Sequence, residues 1–301
     1  MGLFVVFADG PLASGRPKVA VVLSGGGAKG TAHIGALKVI EEAGIPIDYV
    51  VGTSMGAIVG GLYSIGYTPQ QLDSMVNAQN WKFLLSDAPN PKDVLLDDRL
   101  KSERYVLSIP FSLKSAAVSD AGIIKGKNLA RLFSTLTEGY QDSVDFSRLP
   151  IPFACVSENL VNGSEVVFRE GILATAMRSS MSIPGVFAPV DLDGMVLVDG
   201  GMVNNVSGRC GACHGGRLRY RGGCAEPLLK ASELKSVKDI FGQIINLQGE
   251  KKYRENLRNT DVLIKVDVTG YSAASFTKEA IDTLMVRGER AAWTVGTDCL
   301  P

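Results

Sequence analysis

At 301 residues the chain can bury a large core, as one large or two small domains, and its 46% apolar content is ordinary for a globular protein. Its 31 basic and 31 acidic side chains cancel and form no basic stripe, which argues against a nucleic-acid partner. No apolar run reaches the ~18 residues of a membrane span. The chain opens on a short apolar run, Leu3 to Ala8, with Pro11-Leu12-Ala13 before Ser14. That has the form of the back half of an export signal whose basic start is missing. A first strand or a disordered tail is the alternative, and residues 1–16 are set apart on this ground. The signal reading implies an exported protein; a complete N-terminus implies a cytoplasmic one.

Residues 17–66 read as strand, loop, helix, strand, sharp turn, helix. An apolar strand, Val19 to Leu23, runs into Gly25-Gly26-Gly27-Ala28-Lys29-Gly30. Ile34, Leu37 and Ile40 then make a helix stripe that Gly44 and Pro46 stop. A second apolar strand, Tyr49-Val50-Val51, leads into Gly52-Thr53-Ser54-Met55-Gly56, and a helix-compatible run follows from Ala57. This strand–turn–helix context is what the nucleophile-elbow pattern G-x-S-x-G needs: the turn lifts the serine hydroxyl clear of the sheet, and Gly52 and Gly56 allow close approach. Gly25, Gly27 and Gly30 also satisfy the dinucleotide fingerprint G-x-G-x-x-G. That rival needs an acidic residue at the far end of the second strand. Asp48 has nearly the right spacing but begins that strand, at the edge away from the loop.

Thr68-Pro69-Gln70-Gln71 is a capping-box-like helix start. Residues 80–128 break the alternation. Trp81, Phe83, Leu84 and Leu85, then Ile109 to Leu113, suit a cap that meets acyl chains or a bilayer surface, or plain packing against the core. Asn162-Gly163 joins two strands, Phe153 to Ser157 and Val166 to Phe168, as a hairpin. A helix from about Ile172 and a strand, Val196 to Val198, lead to Asp199-Gly200-Gly201. Alone this tripeptide is good turn chemistry. Beyond it come an amphipathic stripe (Val237, Ile240, Phe241, Ile244, Ile245), a last strand from Val262 to Val268, and a closing helix that Thr277 can cap. Cys155 reads as a buried small hydrophobe. Alternating strands and helices imply an α/β fold with a mainly parallel central sheet and helices on both faces, its site at the strand C-terminal ends.

Residues 206–226 do not fit. They hold three of the five cysteines, six glycines and four arginines, with almost no apolar periodicity. Cys210-Gly211-Ala212-Cys213-His214 matches a haem-attachment pattern, and with Cys224 it passes for a zinc site. The favoured reading is a pair of compensating frameshifts. Shifting the frame by one base permits a helix and an apolar strand, which the alternation requires after Asn205. Residues 293–301 are set apart as an aberrant tail on weaker grounds of the same kind.

A serine hydrolase usually moves its proton through histidine. Only His33, early in the first helix, and His214, in the discordant segment, are present. A serine paired directly with Asp199 needs neither, provided a partly apolar site raises the carboxyl pKa. Lys29 and Arg178 could meet a phosphate headgroup or could be solvated helix ends.

A G-G-G-x-x-G loop, then G-x-S-x-G, then D-G-G, in this order and spacing, resembles the patatin-like phospholipase family. Ser182-Ile183-Pro184-Gly185-Val186-Phe187-Ala188-Pro189 and Asp199 through Asn205 resemble family segments too. The resemblance covers roughly residues 17–205 and, less specifically, 228–292. It implies a three-layer patatin-like sandwich over residues 17–292, with Ser54 as nucleophile and Asp199 as base of a dyad. Backbone N–H groups of Gly25, Gly26 and Gly27 would form the oxyanion hole, supported by Gly30, Gly52, Gly56, Gly200 and Gly201. The implied activity is hydrolysis of a phospholipid or other acyl-ester lipid through an acyl-enzyme, with transient membrane contact and no metal or cofactor. The stretch from Asn259 to Phe276 is similar to passenger domains of exported patatin-type outer-membrane proteins. The alternatives are a dinucleotide-binding oxidoreductase and a catalytically silent lipid-binding domain.

Overall fold

A computed structural model describes residues 2–8, 18–89, 124–205 and 261–299, together with Gln243, Leu247 and Asn256. The chain begins with β1 (Gly2–Ala8), β2 (Lys18–Leu23), a 3-10 turn (Gly27–Thr31), α1 (Ala32–Glu42), β3 (Tyr49–Thr53) and α2 (Met55–Ser64). Next come α3 (Pro69–Ala78), α4 (Trp81–Leu84), α5 (Lys127–Leu136), β4 (Val144–Asp145), β5 (Phe153–Asn159), β6 (Ser164–Phe168) and β7 (Glu170–Gly171). The described residues end with α6 (Leu173–Ser180), β8 (Val190–Leu192), β9 (Met195–Asp199), α7 (Gly201–Asn204), β10 (Val262–Lys265) and α8 (Lys278–Cys299).

The α/β sheet runs β10-β1-β2-β3-β5-β9-β8, with β6 also on β5. Its centre, β2-β3-β5, is parallel; β1, β6, β8, β9 and β10 extend it antiparallel. Val19, Val21 and Leu23 on one face of β2 and Ala20 and Val22 on the other are all buried, so both faces are covered. Helices α1, α2, α3, α5, α6 and α8 contribute to the core cluster around Val21, Leu23, Val50 and Phe153.

The register around β5 sets the site. Val156 pairs with Thr53 of β3 and with Val167 of β6, so β3 and β6 lie on opposite sides of β5. Ser157 pairs with Val166 of β6 and with Asp199 of β9, so β9 lies on the β3 side. Since β3 runs parallel to β5 and β9 antiparallel, their C-terminal ends point at each other. Ser54, one residue past Thr53, therefore meets Asp199 through strand pairing alone.

Local signals behave as their chemistry dictates. Helix α1 closes with Gly44 at φ 67°, the Gly44 N–H donating to the Glu41 carbonyl and the Ile45 N–H to the Ile40 carbonyl, a Schellman ending. Thr68 and Gln71 form the capping box of α3. The Ala280 N–H donates to Thr277 Oγ1 at the start of α8.

Some expectations resolve differently. Gly2–Ala8, the apolar run read as an export signal with a first strand or a disordered tail as the alternative, forms β1, paired between β2 and β10. Trp81 stacks on Phe276 with ring centroids 4.5 Å apart, Leu84 is buried, and Trp81, Phe83 and Leu85 pack half-buried against the core. Helix α8 runs to Cys299, past the boundary set at 293. Cys155 is buried in β5. Ile109 to Leu113, the 237–245 stripe and the whole 206–226 segment with His214 lie outside the described residues.

Candidate active site

Ser54 sits between β3 and α2 at φ 55°, ψ −123°. A non-glycine residue at positive φ stores strain of order 1–3 kcal/mol and persists only where its surroundings over-determine it. Here they do. A Cβ on Gly52 would overlap the Gly56 carbonyl oxygen, and one on Gly56 would overlap the Leu23 carbonyl oxygen. Both glycines of the elbow are thus required by backbone contact. The Ser54 N–H donates to Ser180 Oγ at 2.9 Å, and that hydroxyl donates to the Val156 carbonyl.

Ser54 Oγ donates to Asp199 Oδ2 at 2.6 Å, and both residues are buried, at 5% and 6% exposure. Asp199 Oδ1 accepts the Gly201 N–H at 2.7 Å, so the aspartate turn orients its own carboxylate. Burial pushes the Asp199 carboxyl up to about 6, against the opposite pull of the Ser54 hydroxyl and the Gly201 N–H. Such a group is ionised at neutral pH yet basic enough to accept a hydroxyl proton.

His33 is fully buried, and one ring nitrogen, Nε2, lies 2.8 Å from the Ser24 carbonyl oxygen. Burial holds its pKa down to about 4, so the ring is neutral and braces the start of the glycine loop. At the loop's other end the Ala28 N–H donates to the Ala273 carbonyl at 2.8 Å. Gly25, Gly26 and Gly27 lie between these anchors, and a Cβ on Gly25 would stand 2.9 Å from Ser54 Cβ, so the loop borders Ser54. Gly30 is buried in the following 3-10 turn. Gly200 abuts the Val156 carbonyl, which fixes the aspartate turn against β5.

The dinucleotide reading fails on geometry. Asp48 Oδ2 accepts the Val19 N–H at 2.7 Å, at the starts of β2 and β3 and away from the loop. Arg178 is buried and binds no headgroup from there: it donates to Ser182 Oγ and, at 3.0 and 3.1 Å, to the Lys125 and Ala188 carbonyls. Desolvation lowers its pKa to about 10. Burial likewise lowers that of Lys29, which is not a solvated helix end.

Three residues escaped the sequence reading. Ser180 Oγ accepts the Ser54 N–H; the Ser182 carbonyl accepts the Asp199 N–H at 3.0 Å; Asn205 Oδ1 accepts the Gly25 N–H at 2.7 Å. Ser179, Ser180 and Ser182 are wholly buried, and a run of serines amid apolar helix residues was the available signal for the first two.

The model of the patatin-like phospholipase family matches residues 21–207. The chain belongs to that family. An uncharacterized NTE family protein of Mycobacterium tuberculosis is 33% identical over 191 residues, 64% of this chain and 44% of that protein. Patatin-like phospholipase domain-containing protein 6 of Mus musculus is 30% identical over 190 residues, 62% of this chain and 12% of that protein. The chain thus spans less than half the length of these curated relatives. Among solved structures, VipD from Legionella pneumophila aligns with a TM-score of 0.44 and 15% identity, over 98% of this chain and 70% of that one. The family match stops at 207, where the cysteine- and glycine-rich segment begins.

Proposed function

We propose that the chain is a lipid acyl hydrolase working through a Ser54–Asp199 dyad. The observation that carries this is the 2.6 Å bond from a strained serine hydroxyl to a buried carboxylate. Family membership supports an acyl-ester lipid as substrate, met at a membrane surface.

Asp199 takes the Ser54 proton as Oγ attacks the ester carbonyl. The carbonyl oxygen becomes an oxyanion facing the glycine loop, where a backbone donor typically contributes ~3 kcal/mol to the barrier. Collapse of the tetrahedral adduct breaks the ester C–O bond, and Asp199 returns its proton to the departing alcohol. Water, deprotonated by Asp199, then attacks the acyl-enzyme; the bond from the acyl carbon to Ser54 Oγ breaks, the fatty acid leaves, and Asp199 returns the proton to Ser54 Oγ. The carboxylate performs every proton transfer, so no step calls on a metal ion.

The test is release of p-nitrophenol from p-nitrophenyl butyrate, and of fatty acid from phosphatidylcholine vesicles, by the full chain beside Ser54→Ala. Loss of both activities in the variant, with wild-type rates unchanged by EDTA, is expected. Turnover that survives in Ser54→Ala sinks the dyad. A folded wild-type chain with no turnover on either substrate sinks the hydrolase.

A further inference from the structure

The glycine loop borders the nucleophile with three successive residues able to offer an N–H, and the structure distinguishes among them. Gly25 has already given its N–H away, to Asn205 Oδ1 at 2.7 Å. No hydrogen bond among the described residues takes up the N–H of Gly26 or Gly27. The loop is held at the Ser24 carbonyl by His33, at the Gly25 N–H by Asn205 and at the Ala28 N–H by Ala273, leaving Gly26 and Gly27 between the pins.

Asn205 is itself firmly placed. It follows α7, whose Asn204 carbonyl accepts from Thr53 Oγ1 at 3.2 Å. The Asn204 side chain reaches the other way, donating to Glu165 Oε1 and accepting from Asn256 Nδ2. The two neighbouring asparagines thus divide the work: one anchors the turn from behind, and the other reaches the glycine loop. A Cβ on Gly25 would lie 2.9 Å from Asn205 Oδ1 and equally close to Ser54 Cβ, while a Cβ on Gly201 would lie 3.0 Å from Asp199 Oδ1 and 3.7 Å from Asn205 Oδ1. The carboxamide therefore stands where loop, nucleophile and aspartate turn converge.

We propose that Asn205 is a positioning residue: it ties the aspartate turn to the glycine loop, withdraws the Gly25 N–H from the oxyanion hole, and leaves Gly26 and Gly27 to receive the oxyanion. This rests on the ester-hydrolase reading above. Glycine has the largest backbone freedom of any residue, so three in a row aim their N–H groups only if something external fixes them. An oxyanion donor must be preorganised to be effective. One strut from the turn that carries the base keeps donor and base in register as Ser54 attacks the ester carbonyl.

The experiment compares Asn205→Ala, Asn205→Asp and Ser54→Ala in the full chain, with p-nitrophenyl butyrate and with the rate of labelling by an alkyl fluorophosphonate, whose phosphoryl oxygen faces the same donors. Asn205→Ala is expected to lower kcat about 10- to 100-fold with KM within about three-fold, as loss of alignment does, and to slow labelling by a similar factor. Asn205→Asp keeps an acceptor for the Gly25 N–H but sets an anion beside Asp199. Its kcat–pH limb is expected to move to higher pH, because the new anion, if it stands where loop and aspartate turn converge, opposes ionisation of Asp199. An Asn205→Ala chain with kcat and labelling within two-fold of wild type overturns the proposal, as does a change confined to KM. If Asn205→Ala fails to fold, the Asp variant decides: an unmoved pH limb overturns it. Activity surviving in Ser54→Ala instead sinks the dyad on which this proposal rests.

Discussion

The two halves of the candidate dyad are built differently. Ser54 stands in a continuous stretch, β2 through α2, where its strain and its flanking glycines are set by backbone contacts among Leu23, Gly52, Gly56 and Ala57. Asp199 is placed from afar: β9 pairs with β5, the Ser182 carbonyl takes its N–H, and its partner lies 145 residues away in sequence. The nucleophile side is a local device that could be lifted out as one supersecondary unit. The aspartate side is correct only when the sheet is complete. Substitutions on the two sides should therefore fail in different ways, the first through the elbow itself and the second through alignment.

The largest effect belongs to the aspartate side. Asp199→Asn keeps the size of the side chain and loses the base, so kcat is expected to fall about 10³- to 10⁴-fold, within the range for removing a general base. In the wild-type chain kcat/KM should rise with pH through about 6, where the carboxyl ionises, and then level off. Stability runs the opposite way. The folded-state pKa lies above the ordinary value of 3.8, so the folded chain binds this proton more tightly than the unfolded one. This group's contribution is thus most favourable below about 4 and declines as pH rises to about 6. Denaturant titrations at pH 4, 5, 6 and 7 should show that decline flattened in Asp199→Asn. A slope identical in both chains would mean that burial does not govern the carboxyl.

How much of this was legible before the fold follows the same division. The elbow, the glycine loop, the Schellman ending at Gly44 and the capping box at Thr68 are local patterns, and each forms where its residues stand. Asp48 could be set aside from sequence because strand direction alone puts it at the wrong edge. The pins were illegible: nothing within a few residues of Ser180 or Asn205 says that they reach Ser54 and Gly25, since those contacts span 126 and 180 residues. The antiparallel pairing of β1 and β9 was equally hidden, because a short apolar run carries no record of which neighbour it pairs with. Trp81 and its neighbours looked suited to a surface because aromatic residues serve both roles, and only Phe276 opposite decides for packing.

A substitution on the nucleophile side should cost the fold before it costs the chemistry. Gly56→Ala drives a methyl into the Leu23 carbonyl, a rigid backbone atom at the end of β2. Overpacking of this kind typically costs about 1–3 kcal/mol and sometimes more. Chemical denaturation should register the loss, with kcat falling in parallel because the elbow must move. Unchanged stability would show that β2 and α2 can part without penalty, and the elbow would not be the rigid unit described.

Ser180→Ala bridges the two sides at a smaller magnitude. Removing the hydroxyl strands the Ser54 N–H and the Val156 carbonyl in a buried place, where an unsatisfied polar group costs about 1–3 kcal/mol. Both the midpoint of unfolding and kcat should drop, the latter about ten-fold, while the pH at which kcat/KM rises stays near that of wild type, since Asp199 keeps its own partners. A shifted pH limb would show instead that Ser180 acts on the carboxyl and not on the elbow.

The smallest effect lies where α1 meets α8, outside both halves. Lys38 Nζ and Glu289 Oε1 are 2.9 Å apart across this helix pair, with both side chains about a third exposed. The carboxylate raises the Lys38 pKa, first by its hydrogen bond and then by its charge, so the benefit is present throughout neutral pH and is lost only in strong alkali. Exposed pairs of this kind contribute roughly 0.2–1 kcal/mol, less as salt screens them. The same helices touch backbone to backbone, because a Cβ on Gly35 would overlap the Met285 carbonyl and one on Gly288 the Ala32 carbonyl. Lys38→Ala should therefore shift the unfolding midpoint slightly, indistinguishably from wild type in high salt, and leave kcat untouched, whereas Gly288→Ala should separate the helices. Since α1 begins at the glycine loop, a kcat loss in Lys38→Ala with the helices still packed would mean that the exposed pair, and not the glycine contact, holds the loop against Ser54.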